Sequence, residues 1–218
     1  TNKISPIFNQ LALTYRNGRG WSIFVHPTEN CLVITVPAGG SYQATTQWVM
    51  SFATRGWFQW RDLPITSAAT WNGELYFGTA GGKVCIHRGF VDNMLLSDST
   101  SFSDVECSLL TPFTTLGNAR QKRIQLMRPT FLSGTIGPVY ALTARYGYNQ
   151  LEPSAPSGTV GGAGAWDDSG TLWDSAVWNG DYTPDQDMTG ASGSGREFAL
   201  AIRWKARSRT TLVGVDVM

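Results

Sequence analysis

Six aspartates lie close together near the end of the chain, and such a cluster could cleave glycosidic bonds or bind calcium. A glycosidase needs two carboxylates held on either side of a sugar, one of them with a raised pKa. Nothing in the surrounding sequence supplies burial or a rigid strand for them, and the EF-hand spacing with its central glycine and distal glutamate is absent. We therefore expect a solvated or interface loop without catalytic residues, metal or cofactor. The six are Asp167, Asp168, Asp174, Asp181, Asp185 and Asp187.

The run WDDSGTLWD within this region partly fits the Asp-box of sialidases, S-x-D-x-G-x-T-W. Asp168, Gly170 and Trp173 match the pattern. Trp166 and Leu172 stand where the pattern has Ser and Thr. Because an Asp-box shapes a hairpin turn and supplies no catalytic group, the partial match favours a structural interpretation.

The histidines and cysteines are few and widely spaced. His26 and His87 have no serine or cysteine in a nucleophile setting nearby, so no catalytic triad can be assigned. The cysteines Cys31, Cys85 and Cys107 each lie in or beside an apolar run, which is typical of buried structural thiols. No CxxC pair is present, so zinc is not predicted.

Two basic clusters occur, one at residues 120–123 and one at residues 203–209. In the second cluster, alternate positions would share one face of a strand. Such a stripe could contact DNA phosphates or an acidic loop of a partner, or it could be a solvated face that protects a sheet edge. We predict Arg203, Lys205, Arg207 and Arg209 as candidate subunit-interface residues.

The elements that must position these side chains are predicted to be strands, because no window sustains a helical apolar repeat. Four short runs resemble one blade of a β-propeller, namely Trp21–Val25, Cys31–Val36, Trp48–Ala53 and Trp57–Trp60. Three further runs follow, at Ser67–Trp71, Glu74–Thr79 and Lys83–Arg88. Between the first two of these, Asn72-Gly73 predicts a two-residue hairpin turn, since both residues tolerate positive φ.

The chain is predicted to be all-β with two domains. Residues 1–92 would form an incomplete propeller of about two blades, with the missing blades upstream of Thr1, so we interpret the chain as a fragment of a longer protein. Residues 93–218 would form a β-sandwich-like domain. Its predicted strands are Val105–Thr111, Arg120–Leu132, Val139–Tyr146, Glu197–Lys205 and Thr210–Val217.

Residues 148–195 form a long insertion rich in Gly, Ser, Pro and Asp, without Lys or Arg. Such a length is unusual for a loop and indicates a functional or a disordered segment. Disordered linkers are poor in aromatic residues, whereas this segment carries Trp166, Trp173 and Trp178, which are typical interface anchors. We predict that these tryptophans pack against protein and that the acidic insertion pairs with the basic stripe of a neighbouring copy.

The composition restricts the function classes further. Only 15% of the residues are charged, the net charge is +1, and the chain contains nine Trp and 24 Gly. There is no global signature of nucleic-acid or membrane binding, and no apolar run approaches the length that spans a bilayer. We expect instead that partners cover much of the surface.

Several of these segments, in this order, resemble podovirus tail proteins. Trp21-Ser-Ile-Phe-Val-His-Pro and Leu32-Val-Ile-Thr-Val-Pro37 are similar to a recurring blade of that family, as are Gln47-Trp48-Val-Met-Ser and Gly56-Trp57-Phe-Gln-Trp60. The hairpin Trp71-Asn-Gly-Glu-Leu-Tyr-Phe-Gly78 followed by Gly82-Lys-Val-Cys-Ile-His-Arg-Gly89 fits as well. In the second half, residues 123–129 and the Trp166, Trp173 and Trp178 segment are similar to the same family.

This resemblance covers about residues 12–217 and implies the C-terminal portion of a tail nozzle, tail tubular or DNA-stabilisation protein. It implies a structural, non-enzymatic role in the virion tail, in a protein made in the cytoplasm of the host bacterium. The partners implied are further copies in a ring of six and other tail proteins (adaptor, fibres or needle). Viral DNA would pass through the channel without sequence-specific binding.

Two other functions fit parts of the sequence. A carbohydrate-binding adhesin module could use the Trp and Asp residues of 166–187, since exposed aromatic rings and carboxylates suit sugar rings and hydroxyls. A glycosidase of the sialidase-like propeller class would need an arginine cluster and an acid pair, and neither can be assigned. A ring-shaped assembly favours the tail protein, and a sugar-binding monomer favours the adhesin.

Overall fold

The computed structural model describes residues 4–37, 46–92, 102–134, 136–158, 160, 183–185 and 187–218. Apart from one short helix, the regular elements in these ranges are antiparallel strands, which confirms the all-β prediction. The chain divides into two compact units, Thr1–Arg88 and Gly89–Met218, where the sequence predicted a boundary at residue 92. Within the described ranges, no helix is long and apolar enough to span a membrane.

The helix α1 (Ser5–Tyr15) was not predicted, and here the sequence interpretation is wrong. Pro6 lies in its first turn, where a missing N–H costs nothing. At its C-terminal end, the Tyr15 carbonyl accepts hydrogen bonds from the Gly18 N–H at 2.8 Å and the Trp21 indole N–H at 3.0 Å. Only a narrow stripe of the helix packs against the rest of the protein, where Phe8 contacts the rings of Trp48 and Trp57. Because the stripe is narrow, the sequence shows only a weak helical repeat of apolar residues.

Unit 1 contains two antiparallel sheets. The first is a four-stranded meander with neighbours in chain order: β1 (Ser22–His26), β2 (Cys31–Val36), β3 (Thr46–Ser51) and β4 (Trp57–Trp60). The second has three strands, also in chain order: β5 (Ser67–Trp71), β6 (Glu74–Gly78) and β7 (Val84–His87). The seven predicted strands are all present, with ends shifted by at most two residues. Both meanders have the strand order of propeller blades, but no closed propeller or barrel occurs among the described strands.

The hairpin between β5 and β6 turns on the two predicted residues. Trp71 pairs with Glu74, so Asn72 and Gly73 alone form the loop. Their φ angles are 50° and 80°, which is the positive pair that a type I′ turn requires. The prediction for this turn is confirmed.

Unit 2 contains two four-stranded sheets. One has the order β11 (Val139–Tyr146), β14 (Phe198–Ala206), β9 (Ser103–Leu110) and β8 (Val91–Asp92). In the other, β10 (Leu126–Ser133) pairs with β12 (Thr183–Asp185), β13 (Thr189–Gly190) and β15 (Thr210–Val217). The prediction of one strand over 120–132 is wrong for residues 120–125, where Lys122 makes only an isolated bridge with Gly195.

The core of unit 2 joins β10 to β11 and β14, as expected of a β-sandwich-like fold. Met127 and Phe131 of β10 meet Leu142 of β11 and Leu200 and Ile202 of β14. Because side chains alternate along a strand, Ala199 and Ala201 of β14 point to the opposite face, and they are buried as well. The strand β14 is therefore covered from both sides.

The face of β14 that carries Ala199 and Ala201 is covered by the start of the predicted insertion, residues 149–158, which we call the strap. Arg145 donates a hydrogen bond to the Glu152 carbonyl at 2.9 Å, and Arg203 donates one to the Pro153 carbonyl at 3.4 Å. Pro153 and Pro156 of the strap are themselves buried. At the other end of the insertion, the Ala191 N–H donates to the Gln125 carbonyl. Both described ends of the insertion thus belong to the fold of unit 2.

Replacing Gly73 by alanine should destabilise unit 1 by about 1–2 kcal/mol, because an L-residue is strained at its positive φ. The added Cβ meets no atom within 4 Å, so the loss reports backbone strain alone. Urea unfolding followed by tryptophan fluorescence measures it. Gly81→Ala is the matched control, since Gly81 is not at positive φ and has room for a methyl group. Equal losses in the two variants would contradict the turn assignment.

Candidate assembly surface

The predicted basic stripe does not lie on one strand. Arg203 and Lys205 belong to β14, but the strand ends at Ala206, so Arg207 and Arg209 follow it. The interpretation of residues 203–209 as one strand face is therefore wrong. The alternation of basic residues in the sequence continues beyond the end of the strand, through the bend at Ser208 that leads to β15.

Two of the four basic residues are neutralised by carboxylates of the adjacent strand β9. Arg203 forms an ion pair with Glu106, and Arg207 forms one with Asp104. The Arg207 guanidinium also lies 5.0 Å from the centre of the Phe102 ring. Lys205 lies opposite Glu106 in the register of β14 and β9. This face of the sheet is thus a pattern of paired charges, and its role as a subunit interface remains a prediction.

The other predicted interface residues, Trp166, Trp173 and Trp178, lie outside the described residues. So do Asp167, Asp168, Asp174 and Asp181. The Asp187 carbonyl accepts a hydrogen bond from the Tyr140 hydroxyl at 3.2 Å. Across the described ranges, no group of three or more His, Cys, Asp or Glu side chains is placed to hold a metal ion.

A surface that the sequence interpretation missed lies on the sheet β5–β7. Leu75 and Phe77 of β6 are buried on one side of this sheet. The opposite side, which we call the outer face, presents Ala69, Trp71, Tyr76, Val84 and Ile86. Trp71 is 70% exposed and Val84 is 79% exposed. Exposed apolar side chains of this size make the outer face a candidate surface for contact with another protein.

The outer face carries charges only as a compensated group at one corner. Glu74 forms an ion pair with Arg88 at 3.6 Å and accepts a hydrogen bond from the Tyr76 hydroxyl at 3.3 Å. Tyr76 in turn meets the edge of the Trp71 ring, with ring centres 6.1 Å apart. Because these polar groups satisfy one another, a partner could cover the face without burying an isolated charge.

The two histidines, separated by 61 residues in sequence, meet between the two sheets of unit 1. His26 Nε2 lies 3.1 Å from His87 Nδ1, and His26 is 2% exposed. The Glu29 N–H donates to His26 Nδ1 at 3.4 Å, so in the neutral ring Nε2 carries the hydrogen and donates to His87. The Trp60 ring stacks on His87 with ring centres 4.7 Å apart. We call this contact the histidine pair.

A proton added to His26 Nδ1 would remove the acceptor of the hydrogen bond from the Glu29 N–H. Burial lowers the pKa of His26, and repulsion from His87 lowers it further, whereas Glu29 opposes the shift. No pattern in the sequence predicts this contact, because each histidine is a single residue at the end of its own strand.

The prediction of buried thiols is confirmed for Cys31, which lies beside Val33 and Val49 in the core of the first sheet. Burial, with a smaller contribution from Glu29, raises the pKa of the Cys31 thiol to about 11. The thiol is therefore protonated at neutral pH and is a poor nucleophile. Cys85 and Cys107 are partly buried, and all three cysteines are free.

Neither the known protein-family models nor the curated protein sequences contain a match to this chain. The surfaces described above, together with the resemblance in the sequence, are therefore the basis for a functional proposal.

Unit 1 should lose stability when the pH falls below 6.5. Folding lowers the pKa of His26, so below its ordinary value the unfolded chain binds more protons than the folded chain. The free energy of unfolding then decreases by up to about 1.4 kcal/mol per pH unit until His26 is protonated in the folded state too. Urea unfolding between pH 7.5 and 5 measures the slope. His26→Gln should flatten it, and an unchanged slope in that variant would contradict the assignment.

Arg203→Ala should loosen the strap, because it removes the hydrogen bond to the Pro153 carbonyl together with the ion pair to Glu106. We expect a loss of about 1 kcal/mol in unfolding free energy. Faster hydrogen exchange over residues 149–158 would accompany it. Lys205→Ala on the same strand is the control and should leave this exchange unchanged. If both variants exchange at the wild-type rate, Arg203 does not hold the strap.

Proposed function

We propose that this chain is a structural component of a short-tailed bacteriophage tail, a nozzle subunit that forms a ring with further copies around the DNA channel. The observation that carries the proposal is the outer face of the sheet β5–β7, where Trp71 and Val84 are largely exposed on an apolar, charge-compensated surface. A surface of this kind is suited to lasting contact with protein. The order of segments that resembles podovirus tail proteins supports the same role.

The charge distribution is consistent with a channel wall that does not bind DNA tightly. The net charge is +1, and Arg203 and Arg207 are already paired within the chain. Tight binding to a DNA backbone would instead need several free cations in contact with phosphates. We propose that the genome passes through the ring without sequence-specific contacts, and that other tail proteins (adaptor, fibres or needle) bind above and below it in the virion.

No catalytic role forms part of this proposal. The carbohydrate-binding alternative depends on Trp166, Trp173 and Trp178, which lie outside the described residues, so no described contact favours it. The insertion that contains them is anchored in unit 2 at both described ends. We therefore propose that it acts as an assembly element, as its aromatic content predicts.

Sedimentation equilibrium and negative-stain electron microscopy test this function on the purified chain. We expect the mass to rise with concentration to a fixed multiple of 23.8 kDa and closed rings of one rotational symmetry to appear. Digestion of a soluble glycan panel should yield no product. A chain that stays monomeric at all concentrations, or that cleaves a glycan, would contradict the proposal.

A further inference from the structure

Four basic residues of unit 2 form no ion pair within the described part of the chain. Arg120, Lys122 and Arg123 lie in the segment before β10, and Arg196 lies just before β14. The three arginines are exposed, and none of the four residues has a carboxylate partner in the described ranges. We call these four residues the basic patch.

Other arginines of the chain already have an acidic partner. Arg88, Arg128, Arg203 and Arg207 each pair with an aspartate or a glutamate. Their charges are therefore neutralised locally, whereas the charges of the basic patch remain available to an anion that is not part of the described structure.

Paired backbone hydrogen bonds bring the two parts of the basic patch together. The Lys122 N–H donates to the Gly195 carbonyl at 2.8 Å, and the Gly195 N–H donates to the Lys122 carbonyl at 3.0 Å. Beside this bridge, the Gln121 amide donates to the Ser194 hydroxyl at 2.9 Å. Because Arg196 directly follows Gly195, it lies beside the three other basic residues.

The Tyr146 side chain fixes both of these segments. Its hydroxyl accepts a hydrogen bond from the Ile124 N–H at 3.2 Å. A Cβ added to Gly193 would lie 2.8 Å from the Tyr146 ring, and one added to Gly195 would lie 2.9 Å from it, so both glycines pack directly on this side chain. The backbone under the basic patch is thus already ordered, and a ligand need not order it on binding.

The residues of the basic patch have two different roles. The Lys122 ammonium donates to the carbonyls of Asn118 and Arg120, which holds the loop in place but neutralises no charge. The exposed guanidinium groups remain for an anion. Because a guanidinium can donate two parallel hydrogen bonds to one phosphate, arginines on an ordered loop suit a chain of phosphates.

The described surface of the chain offers no acidic counterpart to the basic patch. In the described ranges, no group of three or more acidic side chains lies close enough to share an ion. Asp104, Glu106 and Asp216 are each paired with an arginine already. Duplex DNA, by contrast, carries one phosphate charge for about every 1.7 Å of its length.

We propose that the basic patch is the surface of this chain that faces the DNA channel and contacts the phosphates of the genome. This inference rests on the proposed function, which places DNA inside the ring. Three exposed arginines per chain give weak, salt-dependent contacts that do not depend on base sequence, and the symmetry of a ring repeats them around the duplex. Such contacts break and form again easily, so the DNA can still move through the channel.

Fluorescence anisotropy with a short labelled DNA duplex tests this inference on the full chain, over a series of salt concentrations. Arg120→Gln/Arg123→Gln should weaken binding by about tenfold and should reduce the slope of log affinity against log salt concentration by about two. Arg196→Gln should reduce the slope by about one. Duplexes of unrelated sequence should bind equally. Because the three side chains are exposed, both variants should keep the thermal unfolding of the wild type.

Arg88→Gln/Arg128→Gln is the matched control, since it removes the same charge from arginines that are paired with Glu74 and Asp216, and it should bind DNA as the wild type does. Equal binding by Arg120→Gln/Arg123→Gln and by this control would overturn the inference, and so would a wild type that binds no DNA. If Arg120→Gln/Arg123→Gln unfolds at a lower temperature but binds DNA normally, an acidic protein segment occupies the basic patch and the inference is wrong. Ring formation, measured separately, decides whether the proposed function stands in each of these cases.

Discussion

When a sheet carries apolar side chains on both faces, both faces must be shielded from water. This constraint explains how the described strands of both units pack. Unit 2 meets it internally. The strand β14 has Leu200 and Ile202 in the core on one side and Ala199 and Ala201 beneath the strap on the other. The small alanines leave room for the strap backbone to lie close to the sheet. Unit 1 meets the constraint between its two sheets and, through the helix α1, at Trp48 and Trp57, but it leaves the outer face exposed.

The histidine pair holds the two sheets of unit 1 together with polar contacts in a buried place. A buried polar group is stable there only when its hydrogen bonds are made, and His26 makes one to His87 and accepts one from the Glu29 N–H. The Thr28 hydroxyl adds a contact between the turns of the two sheets by donating to the Gly73 carbonyl at 2.6 Å. These contacts hold the sheet β5–β7, whose outer face we propose as an assembly surface, on the first sheet.

Much of the strand architecture was predictable because each strand is a local pattern. The run Cys31–Val36 and the turn at Asn72-Gly73 carry their structure in adjacent residues. The features that the sequence did not predict depend on contacts between residues far apart in the chain. The histidine pair joins residues far apart in sequence, and the strap reads as a loop until Arg145 and Arg203 bind its carbonyls. The basic stripe was misread because a strand's end depends on pairing with its neighbours as much as on its own pattern.

The central claim is that Trp71 and Val84 are covered by another copy in the assembled protein. Hydroxyl-radical footprinting, read residue by residue by mass spectrometry, tests it directly when monomer and assembly are labelled under the same conditions. We expect labelling of Trp71 and Val84 to drop severalfold on assembly, while labelling of Val213, an exposed valine on β15 of unit 2, stays constant. Equal labelling of Trp71 and Val84 in the monomer and the assembly would contradict it.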